Sequence, residues 1–409
     1  MIKCRFCGND IKHVINFGLQ PIANNFVSSL DDDLYRFELD TYFCPNCKLF
    51  QLKNQPRPDL MFHDRYTFFT GLSDRMTKHF STFASQSLAD LNKDFAEVFV
   101  VEIGSNDGTL LKNIANLKIK HLGVDPSANV VEVAQSKGVT SMVAFFGSET
   151  ADLIVQSHGR ADLVLAANVI CHIPDINDFA RGIEKLLAEG GRFIFEEPYA
   201  GDVLEKTSYD QFYDEHVYIF SCTSVKNIFQ KFGLDLVDAI PQATHGGSMR
   251  YVIAREGERP RTERCEKALF DEEKNGLNDF SSYAQFAKNC EIRKNELVNL
   301  LNELKAQGKI VAGYAATSKS TTVLNYCGIG RDLISYISDS TPEKQGRLTP
   351  GTYIPIVTPE ELRSLNPDYL VLFAWNHEKE ILEKELALTA QGVRWIRFVP
   401  QIEILQESK

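Results

Sequence analysis

The 409-residue chain has no uninterrupted apolar run approaching the ~18–20 residues that span a bilayer, which argues against a membrane protein. Its first residues, Met1-Ile2-Lys3-Cys4-Arg5-Phe6-Cys7, lack the apolar stretch of a secretion signal, so a cytoplasmic location is expected. Positive charge is in short supply: 44 Lys+Arg stand against 55 Asp+Glu, a net charge of −11, with no clustered basic stretch. Affinity for a phosphate backbone comes from such clusters, so nucleic acid is not expected as a partner. No tandem sequence repeat is present. Apolar residues at 44% and charged residues at 24% exclude wholesale disorder. At about 150 residues per domain, the length implies two or three domains.

What is present begins with cysteine. Nine cysteines in a cytoplasmic chain point to metal or free thiols rather than a disulfide framework. Four form two Cys-x-x-Cys pairs, Cys4/Cys7 and Cys44/Cys47, with 36 residues between them. Two residues between thiolates let a tight turn aim both sulfurs at one ion, and two such knuckles complete a tetrahedral four-sulfur zinc site. A redox-active Cys-x-x-Cys is the alternative, but no strand-then-helix pattern surrounds either pair. A closed structural zinc site is expected, with the intervening stretch forming a lobe of its own. Cys171, Cys222, Cys265, Cys290 and Cys327 are scattered and read as buried apolar fillers.

The pattern then divides the chain. Residues 1–60 read as the zinc lobe. Residues 61–95 read as a helical linker rich in aromatics and hydroxyls, with Met76, Phe80, Phe83, Leu88 and Leu91 at approximately helical spacing. From 98 onward short β-branched runs alternate with helical segments: 98–103, 121–124, 162–167, 192–196, 234–240 and 250–254 read as strands. Such alternation implies α/β architecture with a parallel sheet. A polar break near 256–261 ends this unit, which spans 96–258. A second α/β unit, 259–409, opens on one long charged helix to about 307, with strands at 310–314, 334–338, 369–373 and 395–399.

The first unit carries a glycine loop, Glu102-Ile103-Gly104-Ser105-Asn106-Asp107-Gly108, with a helix opening near Thr109. Small residues there let the backbone approach a ligand. Asp125 ends the next strand, 21 residues after Gly104, where a carboxylate can hold ribose hydroxyls. A dinucleotide fingerprint would want glycine where Asn106 stands. The acidic Glu102 suits a cationic ligand better than a pyrophosphate, and S-adenosylmethionine (SAM) has that character. A nucleotide cofactor or a plain packing turn remain the alternatives. The last two strands are joined by a loop, as in the antiparallel hairpin that ends the sheet of class I methyltransferases.

Three histidines fall at loop positions beside this site. His172 lies just past a strand end in Asn168-Val169-Ile170-Cys171-His172-Ile173-Pro174-Asp175, His216 ends Tyr213-Asp214-Glu215-His216, and His245 opens His245-Gly246-Gly247-Ser248-Met249-Arg250. A histidine beside a glutamate can be oriented and kept basic enough to take a proton near neutral pH.

Together these motifs resemble the nucleotide-sugar C-methyltransferases, which add a methyl group to C3 of a 4-keto sugar in deoxysugar pathways. The resemblance runs through the four-cysteine lobe, the Glu-Ile-Gly-Ser-Asn-Asp-Gly loop and the Asn-x-x-x-His-Ile-Pro-Asp segment. It continues through Glu196-x-Pro198-Tyr199, Tyr-x-Glu-His, His-Gly-Gly-Ser-x-Arg and Lys344-Gln-Gly-Arg347-x-x-Pro-Gly351. Asp214 departs from it, standing where the family commonly has His. Thr317-Ser318-Lys319-Ser320 replaces a stretch richer in Gly, Pro and Ala.

The resemblance implies a class I SAM-methyltransferase domain flanked by the zinc lobe and a second Rossmann-like domain. It implies SAM held by Glu102, Gly104, Ser105, Asn106, Gly108, Asp125 and Asn168. It implies His216 as base arranged by Glu215 and Tyr213, with His172 donating to the C4 oxyanion and Tyr66 reaching the sugar. His245, Arg250, Lys319, Lys344 and Arg347 are implied to bind a TDP- or GDP-linked 4-keto-6-deoxy sugar, the last three at its diphosphate. Other readings of the same residues are an RNA methyltransferase, which the acidic charge opposes, a small-molecule O- or N-methyltransferase, and a non-catalytic zinc-organised binding protein.

Overall fold

The structure, a computed structural model, describes residues 2–32, 34–57, 60–61, 70–89, 91 and 93–405. At the N-terminus, β1 (Lys12–Pro21) and β2 (Arg36–Phe43) form an antiparallel pair, and β3 (Phe50–Leu52) adds to β2. These strands follow the large apolar residues: Phe17, Phe37, Leu39, Phe43 and Phe50 are all buried. These strands are not legible in the sequence because bulges in β1 break its alternation.

The linker contributes α1 (Asp74–Ala89). There follow β4 (Phe99–Ile103), α2 (Leu111–Asn116), β5 (Lys120–Asp125), α3 (Ala128–Ser136), β6 (Ser141–Val143), α4 (Ser148–His158), β7 (Ala161–Ala167), α5 (Ile176–Leu186), β8 (Leu187–Pro198) and α6 (Ala200–Lys206). The unit ends with β9 (Tyr218–Ile219), α7 (Cys222–Gln230), β10 (Leu234–Gln242) and β11 (Ser248–Arg255). Seven of these strands form one sheet in the order β10-β11-β8-β7-β4-β5-β6. The strands from β8 to β6 pair in parallel, and β11 runs antiparallel to both of its neighbours. A parallel sheet closed by a reversed strand is the class I methyltransferase arrangement. β9 leaves this sheet and completes the N-terminal one by pairing with β3, so the zinc lobe is stitched to the methyltransferase unit through backbone bonds.

The long charged helix anticipated to about 307 is two helices, α8 (Glu263–Lys274) and α9 (Phe280–Ala306). Gly276 separates them with φ +73, a conformation that ends a helix readily and that other residues adopt at a cost. Beyond lie β12 (Val311–Tyr314), α10 (Ser318–Cys327), β13 (Ile337–Ser338), β14 (Ile356–Val357), α11 (Pro359–Leu365), β15 (Tyr369–Leu372), α12 (Glu378–Lys384), α13 (Leu386–Ala390), β16 (Arg394–Arg397) and β17 (Glu403–Ile404). They form a six-stranded sheet, β14-β13-β12-β15-β16-β17, parallel except at β17.

In open α/β sheets, ligands bind at the carboxyl ends of the strands where the strand order reverses. That point lies between β4 and β7 in the first unit and between β12 and β15 in the second. Loops from both points line one shared cavity. A single apolar core joins the zinc lobe to the second unit: Phe43 stacks on Tyr283 of α9 at 4.0 Å, and Phe17 meets Tyr326 edge-on at 5.0 Å. Burying each such ring stabilises the fold by about 1.5–3 kcal/mol, so the lobe is held by packing as well as by its cysteines. No helix among the described residues is long and apolar enough to cross a membrane.

Candidate active site

The four cysteines of the two knuckles converge, with all their sulfurs within 4.8 Å of one another. Cys4 Sγ lies 3.6 Å from Cys47 Sγ and Cys7 Sγ 3.5 Å from Cys44 Sγ. Bonds of ~2.3 Å from a tetrahedral zinc would set such sulfurs about 3.8 Å apart, so the ion fits. The knuckles are built alike. In one, the amide of Gly8 donates to the Cys4 carbonyl, and in the other that of Lys48 donates to the Cys44 carbonyl, both residues having positive φ. Gln51 Nε2 donates to Cys4 Sγ at 3.2 Å and Asn9 Nδ2 to Cys7 Sγ at 3.4 Å, which suits thiolates. The other five cysteines are buried, as expected.

The shared cavity has a volume of about 870 Å³. On the first unit's side, β4 runs into Gly104, whose φ of +67 and closeness to Val169 admit no side chain: a Cβ there would fall 2.2 Å from Val169 Cγ2. Asp125, at the end of β5, accepts from the amides of Asn106 at 3.0 Å and Ser127 at 2.9 Å, so its carboxylate shapes the glycine loop while lining the cavity. A small side recess, lined by Glu102, Ser105 and Thr70 among others, adjoins it. Glu102 Oε2 and Ser105 Oγ are buried there without a partner among the described residues. Burial, then the charges of Asp125 and Asp107, raise the Glu102 pKa well above the carboxylate range. A cationic ligand would relieve that crowding of carboxylates, and SAM carries both a sulfonium and an ammonium; the residues fit it. Gly108 instead packs on Val139, and the helix opens at Leu111, two residues later than Thr109.

Facing this end are the histidines. His216 is buried, with Nδ1 2.7 Å from the Gln211 carbonyl and Nε2 2.6 Å from the Tyr213 hydroxyl. A carbonyl only accepts, so Nδ1 carries the proton and Nε2 offers its lone pair to Tyr213. Burial lowers the His216 pKa well below its usual value, with the nearby His172, Lys319 and His245 adding to the effect. The orientation anticipated from Glu215 therefore comes from the Gln211 carbonyl. Glu215 itself turns to Asn24, whose Nδ2 donates to Oε1 at 3.0 Å. The His172 ring stacks on that of His216 with centroids 5.4 Å apart, and burial lowers the His172 pKa to about 4. Glu197 fixes the turn that carries His172: its Oε1 accepts from the amides of Val169, Ile170 and Cys171 at 2.6–3.3 Å. His245 Nε2 lies 3.2 Å from Asn168 Nδ2.

The second unit closes the cavity. Lys319 Nζ donates to the His245 carbonyl at 3.3 Å, and Lys344 Nζ to the Ala316 carbonyl at 2.9 Å. Both lysines line the cavity beside Thr317 and Ser318 at the N-terminus of α10. Trp375 Nε1 donates to the buried Asp210 at 2.7 Å and covers Gly246 so closely that a Cβ there would lie 2.1 Å from the indole.

Two residues implied to bind substrate are elsewhere. Arg250 is buried off the cavity, its guanidinium bonded to Glu196 at 2.6 Å and to Gln86 at 2.6 Å and laid over Phe83. Its position in β11 directs it into the packing against α1. Arg347 is exposed and reaches the Phe26 carbonyl at 3.5 Å. Tyr66 falls outside the described residues. Asn24, Glu197, Gln211, Ser318 and Trp375 were not anticipated. Glu197 and Gln211 adjoin motif residues, which is a usable signal. Asn24, 191 residues before Glu215, carries none.

Family models tile the chain: a zinc binding domain over residues 4–62, a methyltransferase domain over 76–239, and a C-methyltransferase C-terminal domain over 243–400. The C-methyltransferase NovU of Streptomyces niveus is 33% identical over 408 residues, spanning 98% of this chain and 96% of NovU. The chain belongs to this C-methyltransferase family. A ubiquinone biosynthesis O-methyltransferase of Chelativorans sp. (strain BNC1) is 30% identical over only 100 residues, 24% of this chain and 40% of that protein. A SAM-dependent methyltransferase structure from Anabaena variabilis is similar at a TM-score of 0.37 and 16% identity, covering 44% of this chain and 86% of that one. The enzyme is a SAM-dependent C-methyltransferase with a structural zinc lobe.

Proposed function

We propose that this C-methyltransferase acts in the cytoplasm on C3 of a nucleotide-linked 4-keto-6-deoxy sugar, through an enolate, in deoxysugar biosynthesis. One observation supports this reading above the rest. The Tyr213–His216 pair and the two lysines Lys319 and Lys344 line a single cavity, so a basic pair and a cationic end are available to one elongated anionic substrate.

A C3 hydrogen beside a C4 ketone is acidic enough for a side chain to remove when the oxygen charge is stabilised. In this reading Tyr213 stands between His216 and the substrate. The C3 proton passes to the Tyr213 oxygen as Tyr213 hands its own proton to His216 Nε2, and the C3–H electron pair becomes that of the enolate. His172, neutral near pH 7, donates to the C4 oxygen. Lys319 and Lys344 bind the diphosphate by charge, beside the N-terminus of α10. Asp125 and Asn168 orient the cofactor, and Trp375 over Gly246 excludes water. Bound SAM would supply an electrophilic methyl group for the C3 electron pair, its sulfur–methyl bond breaking as the carbon–carbon bond forms and S-adenosylhomocysteine leaving with the sulfur lone pair.

Calorimetric titration of the S-adenosylhomocysteine complex with TDP- and GDP-linked 4-keto-6-deoxy sugars tests the substrate class. One of them should bind, and the Lys319→Met variant should bind it at least ~10-fold more weakly, as loss of a charge-assisted contact implies. Failure of every nucleotide sugar to bind would defeat the reading.

A further inference from the structure

Asn24 belongs to the zinc lobe, yet its side chain forms part of the cavity wall. Its Nδ2 donates to Glu215 Oε1 at 3.0 Å, and its Oδ1 accepts from Ser318 Oγ at 3.0 Å. The neighbouring backbone repeats the pattern: the Ala23 amide donates to Asp214 Oδ1 at 2.9 Å, while the Ala23 carbonyl accepts from Thr321 Oγ1 at 2.9 Å. Val27 and Leu348 then exchange backbone bonds at 3.1 and 2.8 Å. Residues 21–27 thus form a strap that touches the Tyr213–His216 segment on one side and the second α/β unit on the other.

We propose that Asn24 is a positioning residue for methyl transfer: the zinc lobe supplies through it the donor that orients the Glu215 carboxyl and favours its ionised form, while Ser318 holds the amide in place. This rests on the reading of Glu215 as part of the reacting segment. Glu215 is buried at the cavity wall, and burial followed by the charge of Asp214 pushes its pKa up, with the Asn24 bond opposing both. Cys171, after β7, feels its charge, and His172, Tyr213, His216 and Lys319 from α10 line the same cavity. A hydrogen bond to the charged form of a carboxyl favours that form. Removing the donor must therefore move ionisation of Glu215 to higher pH, whichever protonation state the reaction uses.

The test is an infrared titration of the carboxyl C=O band in the S-adenosylhomocysteine complex, with Glu215→Gln as the blank, alongside pH profiles of kcat. Asn24→Ala should raise the pH of Glu215 ionisation by about one unit, as expected for the loss of one hydrogen bond. The pH profile of kcat should move in the same direction, while zinc content and cofactor affinity stay at wild-type values. Asn24→Ser, which keeps a donor, should recover part of the shift. An unmoved Glu215 titration in a folded, zinc-loaded Asn24→Ala protein would overturn the proposal. If that variant does not fold, Ser318→Ala decides: a smaller shift in the same direction supports the role, and no shift overturns it. The infrared readout needs no sugar. An Asn24-dependent titration in an enzyme inactive toward keto sugars would sink the substrate reading and leave this inference standing.

Discussion

The Tyr213 hydroxyl lies 2.6 Å from His216 Nε2, and the opposite ring nitrogen is committed to the Gln211 carbonyl at 2.7 Å. The imidazole therefore has one tautomer and one direction in which to accept a proton. The two side chains act as a unit, and removing either should cost about the same. Loss of a general base typically costs ~10²–10⁴-fold in rate. Tyr213→Phe and His216→Asn should each fall in that range, and the double variant should lose little more than either alone. Single-turnover rates, with SAM binding measured separately and found unchanged, check this. A His216→Asn enzyme of full activity contradicts it.

Gly104 and Asp125 make the cofactor prediction. Gly104→Ala would drive a methyl into Val169 and should abolish SAM binding. Asp125→Ala removes both the loop's amide acceptor and the carboxylate on the cavity wall. It should weaken SAM and S-adenosylhomocysteine alike, so that the rise in melting temperature with added ligand shrinks for both. Equal stabilisation of wild type and Asp125→Ala would contradict the assignment.

The zinc site predicts about one zinc per chain in freshly purified, reduced protein. Because β9 pairs with β3 and the lobe's aromatics pack on α9, Cys44→Ser should lower the melting temperature before it lowers the intrinsic chemical rate. Metal analysis finding no zinc would refute this.

Arg250 illustrates how far sequence reading reaches. Its place in His-Gly-Gly-Ser-x-Arg suggested a substrate contact, but the alternation of β11 turns it to a buried pairing with Glu196, whose other oxygen lies 2.6 Å from His79 Nε2. Arg250→Ala leaves that buried carboxylate short of its partner and should destabilise the fold by about 3–5 kcal/mol. Denaturant unfolding would show the loss, and nucleotide-sugar affinity of the folded fraction should be unaffected.

The buried Asp214–Glu215 pair predicts a pH dependence of stability. Burial raises both pKa values above the usual carboxylate range. In the unfolded chain both groups ionise in the ordinary range, so between that range and the raised folded values the unfolded state holds fewer protons and gains stability. Stability should therefore be greatest in mild acid as far as this pair is concerned, and fall as pH rises through neutrality. Asp214→Asn should flatten that slope in denaturant melts taken from pH 5 to 8.

Legibility followed chain proximity. The knuckles of Cys4/Cys7 and Cys44/Cys47, the Gly104 loop with Asp125, and the Tyr213–His216 run are short strings whose chemistry needs those residue types side by side. In the zinc lobe, bulges in β1 break the alternation, and β3 and β9 have only three and two residues, too few to show a period. Asn24 was hidden for a different reason: its function depends on a contact with Glu215 that only the assembled three-part fold creates. Arg347 read as a phosphate ligand because a sequence cannot say which way an exposed arginine turns.

The account is tested most directly by incubating the wild-type enzyme with methyl-labelled SAM and the nucleotide-linked 4-keto-6-deoxy sugar that binds, then locating the label by mass spectrometry and NMR. The account predicts a product one methylene heavier, with the labelled methyl on carbon C3 of the sugar. A label found on oxygen or nitrogen, or no transfer to a bound keto sugar, would contradict it.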